Sequence, residues 1–312
     1  MDQKPAISYV SQFAILIGLM GVFIILIAAI IPYAGSLMLH VPVQDVLKKL
    51  NLPENANTAR LLNTIASFLV FLLPPLALAR VMNKRPFTHL GFNTTITSRQ
   101  IFLVIVITFA SMILSGALGE LNERIPISAE SYAKAKKMEE SYKASMMAMA
   151  TMKTTVDYLL GLLVLAFAPA LFEEVLFRGA FQPVFIGWTK NKWAGIIITS
   201  VLFSAIHISY FGFLPRLALG LILGLIFYYS KNIWLNILLH FLNNAVVVTQ
   251  LYVVSRQGKS IDKTVDESMP IWWGAIAAVA LIILFRVFRK ESSAVLFAQE
   301  QSINSSPENI LS

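Results

Sequence analysis

Apolar runs of about 20 residues recur along the chain, and no other feature constrains its fold as strongly. A run of that length can cross the hydrocarbon core of a bilayer as an α-helix, because each helical residue rises about 1.5 Å. Backbone groups inside a bilayer must be bonded within the protein, which favours helices. We therefore predict an all-α polytopic membrane helical bundle with about eight transmembrane helices. The predicted spans are residues 12–33, 60–82, 100–119, 155–182, 193–210, 214–230, 232–253 and 271–288.

The composition favours the same class of protein. Of the 312 residues, 57% are hydrophobic and 13% are charged, a profile typical of a polytopic membrane protein. The formal net charge of +8 comes mostly from lysines and arginines between the apolar runs, where they set topology and bind anionic headgroups. We therefore expect the lipid bilayer as a partner, no nucleic acid, and a location in the cell membrane as a multi-pass integral protein. The chain has no cysteine, which excludes disulfides and thiol nucleophiles.

One transmembrane domain is predicted over residues 1–290, with a core at about 155–253 that carries the candidate site residues described below. The first apolar run is longer than the core of a signal peptide, which indicates an uncleaved first span. Residues 120–153 combine lysines, glutamates and methionines, a mixture that predicts a surface or interfacial helix. Residues 291–312 are polar, which predicts a disordered tail.

Three charged residues lie inside an apolar run that reads APALFEEVLFR from Ala168 to Arg178. Each charge at the centre of a membrane helix costs roughly 2.5 to 3.5 kcal/mol, so the charges must be paired or functional. Glu174 and Arg178 stand four residues apart, which predicts an ion pair, whereas Glu173 points about 100° away. A free Glu173 could be the general base that takes a proton from water. The alternative is a buried salt-bridge network that only stabilises helix packing.

Two of the four histidines, His207 and His240, also fall within apolar runs. Phe203 precedes His207 by one helical turn, and Asn244 follows His240 by one turn. Each of these residues alone is typical of helix packing, but two membrane histidines near a buried carboxylate indicate a site. Counting from the turn near residues 187–192 places Glu173 and His207 at similar depth, with His240 about 10 Å shallower.

The three motifs resemble those of a known family. They are EExxxR at Glu173–Arg178, FxxxH at Phe203–His207 and HxxxN at His240–Asn244. In this order and in membrane segments, they resemble the CAAX protease and bacteriocin-processing (CPBP, or Abi) family of intramembrane endopeptidases, which includes the type II CAAX prenyl endopeptidases.

The resemblance implies a glutamic-type endopeptidase that hydrolyses a peptide bond of a membrane-associated protein or peptide. It implies that Glu173 and His207 hold and activate a water, while His240 and Asn244 stabilise the oxyanion. The resemblance also implies a structural role around these four residues for Glu174, Arg178 and Phe203. The implied biological roles are CAAX-like processing, bacteriocin processing or self-immunity.

Two alternatives stay open. The first is a zinc-dependent protease with Glu173, His207 and His240 as ligands. No HExxH motif is present, and Glu173 cannot easily be both ligand and base, so we expect no cofactor and keep zinc as the alternative. The second is a non-enzymatic transporter or scaffold, because buried Glu, Arg and His also line proton pathways. Transport would favour repeated halves and broken helices, whereas Gly220 and Gly224 indicate a close helix contact.

Overall fold

The computed structural model describes residues 7–257 and 270–305. All regular elements in these residues are helical, and none is a strand. The longer helices are α1 (Tyr9–Leu39), α2 (Pro53–Met82), α3 (Ser98–Glu123), α4 (Ala129–Met149), α5 (Thr155–Thr189), α6 (Lys192–Ala205), α7 (Phe213–Ser230), α8 (Ile233–Arg256) and α9 (Ile271–Asn304).

Within the described residues, seven helices are long and apolar enough to cross a membrane. These are all the labelled helices except α4 and α6, and α6 is a shorter apolar helix. The predicted all-α polytopic membrane bundle is confirmed. The protein is therefore a multi-pass membrane protein.

The predicted fifth span, residues 193–210, is wrong at its C-terminal end, because α6 ends at Ala205. Ile208 has a φ of 49°, a left-handed conformation that a β-branched residue rarely adopts and that stops the helix. Gly212 N–H donates to Ser209 Oγ at 3.1 Å, which closes the connection before α7 begins. Apolar composition continues through residues 206–208, so hydropathy alone could not locate this end.

Polar residues begin several of the helices. At the start of α3, Thr97 and Gln100 form a capping box, and Thr154 and Asp157 form another at the start of α5. Both satisfy backbone N–H groups that a helix start leaves unbonded. These capping residues therefore mark where α3 and α5 begin.

The centre of the bundle is built from α3, α5, α7 and α8, with α6 packed on α5 and α7, and α9 packed along α3. A Cβ added at Gly220 would lie 2.9 Å from Ser200 Cβ, and one at Gly224 would lie 2.8 Å from Ile196 Cγ2. The close helix contact predicted from these two glycines is therefore confirmed, and it brings α7 against α6.

The predicted disordered tail is wrong for residues 291–304, which continue α9. Their polar side chains are bonded to the start of α3: Thr97 Oγ1 donates to Glu291 Oε1 at 3.0 Å, and Gln100 Nε2 donates to Ser292 Oγ at 3.1 Å. Glu291 and Ser292 are polar because they contact the start of α3, and their polarity does not indicate a disordered segment. The rest of that prediction, residues 306–312, lies outside the described residues.

Helix α4 is the surface helix predicted within residues 120–153. Its C-terminal end is held by Arg60, which is only 3% exposed. Arg60 Nε donates to Met149 O and Nη2 to Thr151 O, both at 2.7 Å. Further along α4, Glu139 accepts a hydrogen bond from Ser209 Oγ at 2.6 Å. Helix α4 therefore lies over the connection between α6 and α7.

Replacing Arg60 by Met should release the end of α4, because two charge-assisted hydrogen bonds worth about 1.5 to 3 kcal/mol each are lost. Limited trypsin digestion of the purified protein should then cut at the α4 lysines several times faster than in the wild type. Arg124→Met removes only an exposed pair with Glu120 and is the matched control. Equal digestion of Arg60→Met and wild type would show that Arg60 does not hold α4.

Candidate active site

The two adjacent glutamates lie in a short α-helical part of α5, Ala168–Glu174. The helix widens into π-helical turns on both sides of it, over Leu162–Phe167 and Val175–Phe181. Such turns are rare in helices and occur frequently at functional sites. They leave Glu174 and Arg178 fully buried, each with a side chain 0% exposed.

Glu174 is the polar centre of the bundle. Its Oε1 accepts from Arg178 Nη1 at 2.7 Å and from His240 Nδ1 at 2.8 Å, and its Oε2 accepts from Asn236 Nδ2 at 3.2 Å. The predicted ion pair between Glu174 and Arg178 is confirmed. Because an ionised carboxylate only accepts hydrogen bonds, the network assigns the Nδ1 proton to His240.

Arg178 connects the glutamate to two further helices. Its Nη2 donates to Gly220 O of α7 at 3.2 Å, and its guanidinium lies 4.7 Å from the centre of the Phe203 ring of α6. Arg178 thus uses its two Nη groups for Glu174 and for the contact with α7, while its Nε is buried without a hydrogen-bond partner.

Glu173 has different surroundings. Its Oε2 is buried and has no hydrogen-bond partner, and it lies 4.0 Å from His240 Nε2. That separation is too long for a direct hydrogen bond and is suited to a bridging water. The His240 ring thus presents Nδ1 to Glu174 and Nε2 towards Glu173.

Phe203 lies between the two membrane histidines. Its ring centre is 5.2 Å from that of His207 and 5.8 Å from that of His240, with edge-to-face geometry in both pairs. The Phe203 carbonyl accepts from His207 Nδ1 at 2.8 Å, which leaves the lone pair of His207 on Nε2. His207 lies in the connection 206–212, outside the spanning helices. There burial, and then the charge of Arg216, lower the pKa of His207 to about 4.

The structure brings Glu173 to His240 and both histidines to Phe203. Among the described residues, it records no hydrogen bond or ion pair between Glu173 and His207, so the water that they were expected to share stays a prediction. Asn244 is half-buried one turn after His240, and its Oδ1 accepts from Asn243 Nδ2 at 3.3 Å. Its expected contact with an oxyanion also stays a prediction.

The alternative zinc ligands do not form a ligand cluster. In residues 7–257 and 270–305, no group of three or more His, Asp or Glu side chains is arranged to hold a metal ion. The set Glu173, His207 and His240 therefore does not fit a metal in this arrangement, and we derive no catalytic step from one.

Sequence reasoning missed two residues at this site. Asn236, one turn before His240, donates to Glu174 and also to Leu223 O at 2.7 Å. Arg216 lies in the first turn of α7, and its Nη1 is buried without a hydrogen-bond partner. The signal for Arg216 was available, because an arginine inside the apolar run FLPRLALG carries the same cost that drew attention to Arg178.

Two carboxylates, an imidazole and a guanidinium group gathered inside membrane-spanning helices define a class: polytopic membrane proteins with a buried cluster of ionisable groups. Residues 155–246 match the family model described as Type II CAAX prenyl endopeptidase Rce1-like. The matched segment runs from the start of α5 into α8 and includes every motif residue. This segment is thus similar to the type II CAAX prenyl endopeptidase family, and the predicted resemblance is confirmed. Neither a curated protein nor a solved structure matches the chain.

Glu174→Gln should lower stability strongly, because it leaves Arg178 buried without its ion partner, a change that typically costs about 3 to 5 kcal/mol. Thermal unfolding in detergent measures this loss. Glu130→Gln is a matched control, since Glu130 and Lys134 form a pair with the same four-residue spacing at the surface. Exposed pairs contribute about 0 to 1 kcal/mol, so the control should unfold like the wild type. Equal melting temperatures for both variants would refute the central role of Glu174.

Proposed function

We propose that this protein is an intramembrane endopeptidase that hydrolyses a peptide bond of a membrane-associated protein or peptide with water activated by Glu173. One observation carries the proposal: Glu173 Oε2 is buried, has no hydrogen-bond partner and faces His240 Nε2 at 4.0 Å. The family match supports peptide hydrolysis as the reaction.

The two glutamates have separate tasks in this scheme. Glu174 is neutralised by Arg178 and keeps the proton of His240 on Nδ1. A water between Glu173 Oε2 and His240 Nε2 can donate one hydrogen to each of these acceptors, which directs its oxygen lone pairs towards the substrate. Glu173 then takes a proton as the water oxygen attacks the scissile carbonyl, and returns it to the leaving nitrogen.

His207 and Asn244 act on the substrate. Asn244 Nδ2 is a neutral donor, and we assign it to the oxyanion that forms on the scissile carbonyl. His207 Nε2 carries a lone pair, and we assign it to the N–H of the scissile amide. This division differs from the one that the family resemblance implies, in which His207 holds the water and His240 contacts the oxyanion. The 4.0 Å approach of His240 to Glu173 favours the new assignment.

The substrate class follows from the location of the site and from the family. The candidate residues lie among membrane-spanning helices, so the peptide must enter from the bilayer or its surface. A CAAX-type peptide is the first substrate to test, because the matched family is named for it. Bacteriocin precursors and self-immunity targets are the other candidates.

Glu173→Gln should reduce hydrolysis by about 10²- to 10⁴-fold, because it removes the base while preserving the side-chain shape. The assay uses purified protein in liposomes and a quenched fluorescent peptide with an S-farnesyl cysteine near its C-terminus. The melting temperature of Glu173→Gln should stay close to that of the wild type, in contrast to Glu174→Gln. Activity within about threefold of the wild type would exclude Glu173 as the base.

We also expect hydrolysis without a bound metal, since Asn244 is a poor zinc ligand and Glu173 cannot easily serve as both ligand and base. Activity should survive a membrane-permeant phenanthroline chelator as well as it survives the non-chelating isomer. Elemental analysis should find well under one zinc per chain. Loss of activity with the chelator alone, restored specifically by zinc, would make Glu173, His207 and His240 metal ligands instead.

A further inference from the structure

Arg216 is a cation at the candidate active site without an anionic partner. It lies in the first turn of α7, and its Nη1 is buried with no hydrogen-bond partner. In residues 7–257 and 270–305, the guanidinium forms no ion pair, and its aromatic neighbour is the Tyr142 ring of α4 at 5.7 Å. An arginine with a buried, unused N–H is costly unless an anion binds it.

The backbone beside Arg216 leaves room for its side chain. A Cβ added at Gly212 would overlap Arg216 Nη1 and would lie 3.0 Å from Ser209 Oγ. Gly212 therefore allows the guanidinium to fold back under the connection 206–212, beside the segment that carries His207. Arg216 therefore lies at the connection that carries His207, where burial, and then the charge of Arg216, lower the pKa of His207 to about 4.

Two nearby acidic side chains, Glu174 and Glu139, are bonded to other groups, and the third, Glu173, is assigned to the water in the proposed reaction. Glu174 is bonded to Arg178, His240 and Asn236, and Glu139 of α4 accepts from Ser209 Oγ at 2.6 Å. Glu173 faces His240 and, in the proposed reaction, the water. An anion that binds Arg216 must therefore come from outside these residues.

We propose that Arg216 binds a carboxylate of the peptide substrate and so sets the distance between that carboxylate and the bond that is cut. The inference rests on the proposed endopeptidase function. Guanidinium groups bind carboxylates through two parallel hydrogen bonds, and a site shielded from water strengthens the contact. The carboxylate is that of the peptide C-terminus or of an acidic side chain close to the scissile bond.

The test compares matched peptides on the full chain in lipid nanodiscs. One quenched fluorescent peptide, with an S-farnesyl cysteine followed by three aliphatic residues, is made as the free acid and as the C-terminal amide. A third peptide is the amide with aspartate as its last residue. Binding is measured by fluorescence anisotropy on the Glu173→Gln variant, which should cleave the peptides too slowly to deplete them, and cleavage is measured on the active protein.

The free acid should bind about tenfold more tightly than the amide, as expected for a hydrogen-bonded charge pair. In the Glu173→Gln background, the further change Arg216→Gln should abolish the preference for the free acid and leave binding of the amide unchanged. Arg216→Lys should retain part of the preference. Arg289→Gln is the matched control, because Arg289 lies 5.7 Å from the Tyr229 ring near the opposite end of α7. It should keep the full preference.

The outcomes separate this inference from the proposed function. Tight binding of the aspartate amide would assign the site to acidic side chains, whereas weak binding would assign it to the peptide C-terminus. Equal binding of acid and amide to Glu173→Gln would overturn the inference, and that comparison requires no change at position 216. If Arg216→Gln lowered the turnover of the acid and the amide equally and left the binding of both unchanged, the inference would be overturned. Arg216 would then act on the oxyanion and not on the peptide carboxylate. Binding that depends on Arg216 without cleavage in the wild type would refute only the peptidase function.

Discussion

The rest of the site depends on the buried ion pair between Glu174 and Arg178, whose side chains are both 0% exposed. A single charge in this position would be costly, and each member of the pair is also bonded to a neighbouring helix. Glu174 holds Asn236 and His240 of α8, while Arg178 contacts Gly220 of α7 and the Phe203 ring of α6. One ion pair on α5 therefore positions the three helices that carry the remaining candidate residues.

The proposed chemistry depends on the difference in surroundings between two adjacent, chemically identical residues. Glu174 has its oxygens saturated by Arg178, His240 and Asn236, which suits it to orient His240. Glu173 keeps a buried oxygen that lacks a hydrogen-bond partner, which suits it to bind and deprotonate water. Both carboxylates nevertheless approach the same imidazole: His240 Nδ1 lies 2.8 Å from Glu174 Oε1, and its Nε2 lies 4.0 Å from Glu173 Oε2.

The irregular connection 206–212 shows how a membrane bundle can contain non-helical backbone. Such a segment is tolerated where protein groups satisfy its polar atoms. Asn122 of α3 donates to Tyr210 O at 2.8 Å and accepts from Leu214 N at 3.0 Å. Helix α4 covers the same connection through Glu139 and Tyr142. The early end of α6 thus places His207 on irregular backbone, and Arg216 lies in the first turn of the helix that follows.

The sequence by itself determined the membrane class, the approximate spans and the ion pair between Glu174 and Arg178. These follow from hydropathy and helical periodicity, which act within one element. Only the tertiary structure decided that α6 ends at Ala205, that polar residues 291–304 are helical, and that His240 reaches both glutamates. It also decided that Arg216 and Asn236 belong to the site. Each of these results depends on contacts with residues of other helices. The packing of one helix on another selects those residues, and the spacing of residues along one helix does not encode that choice.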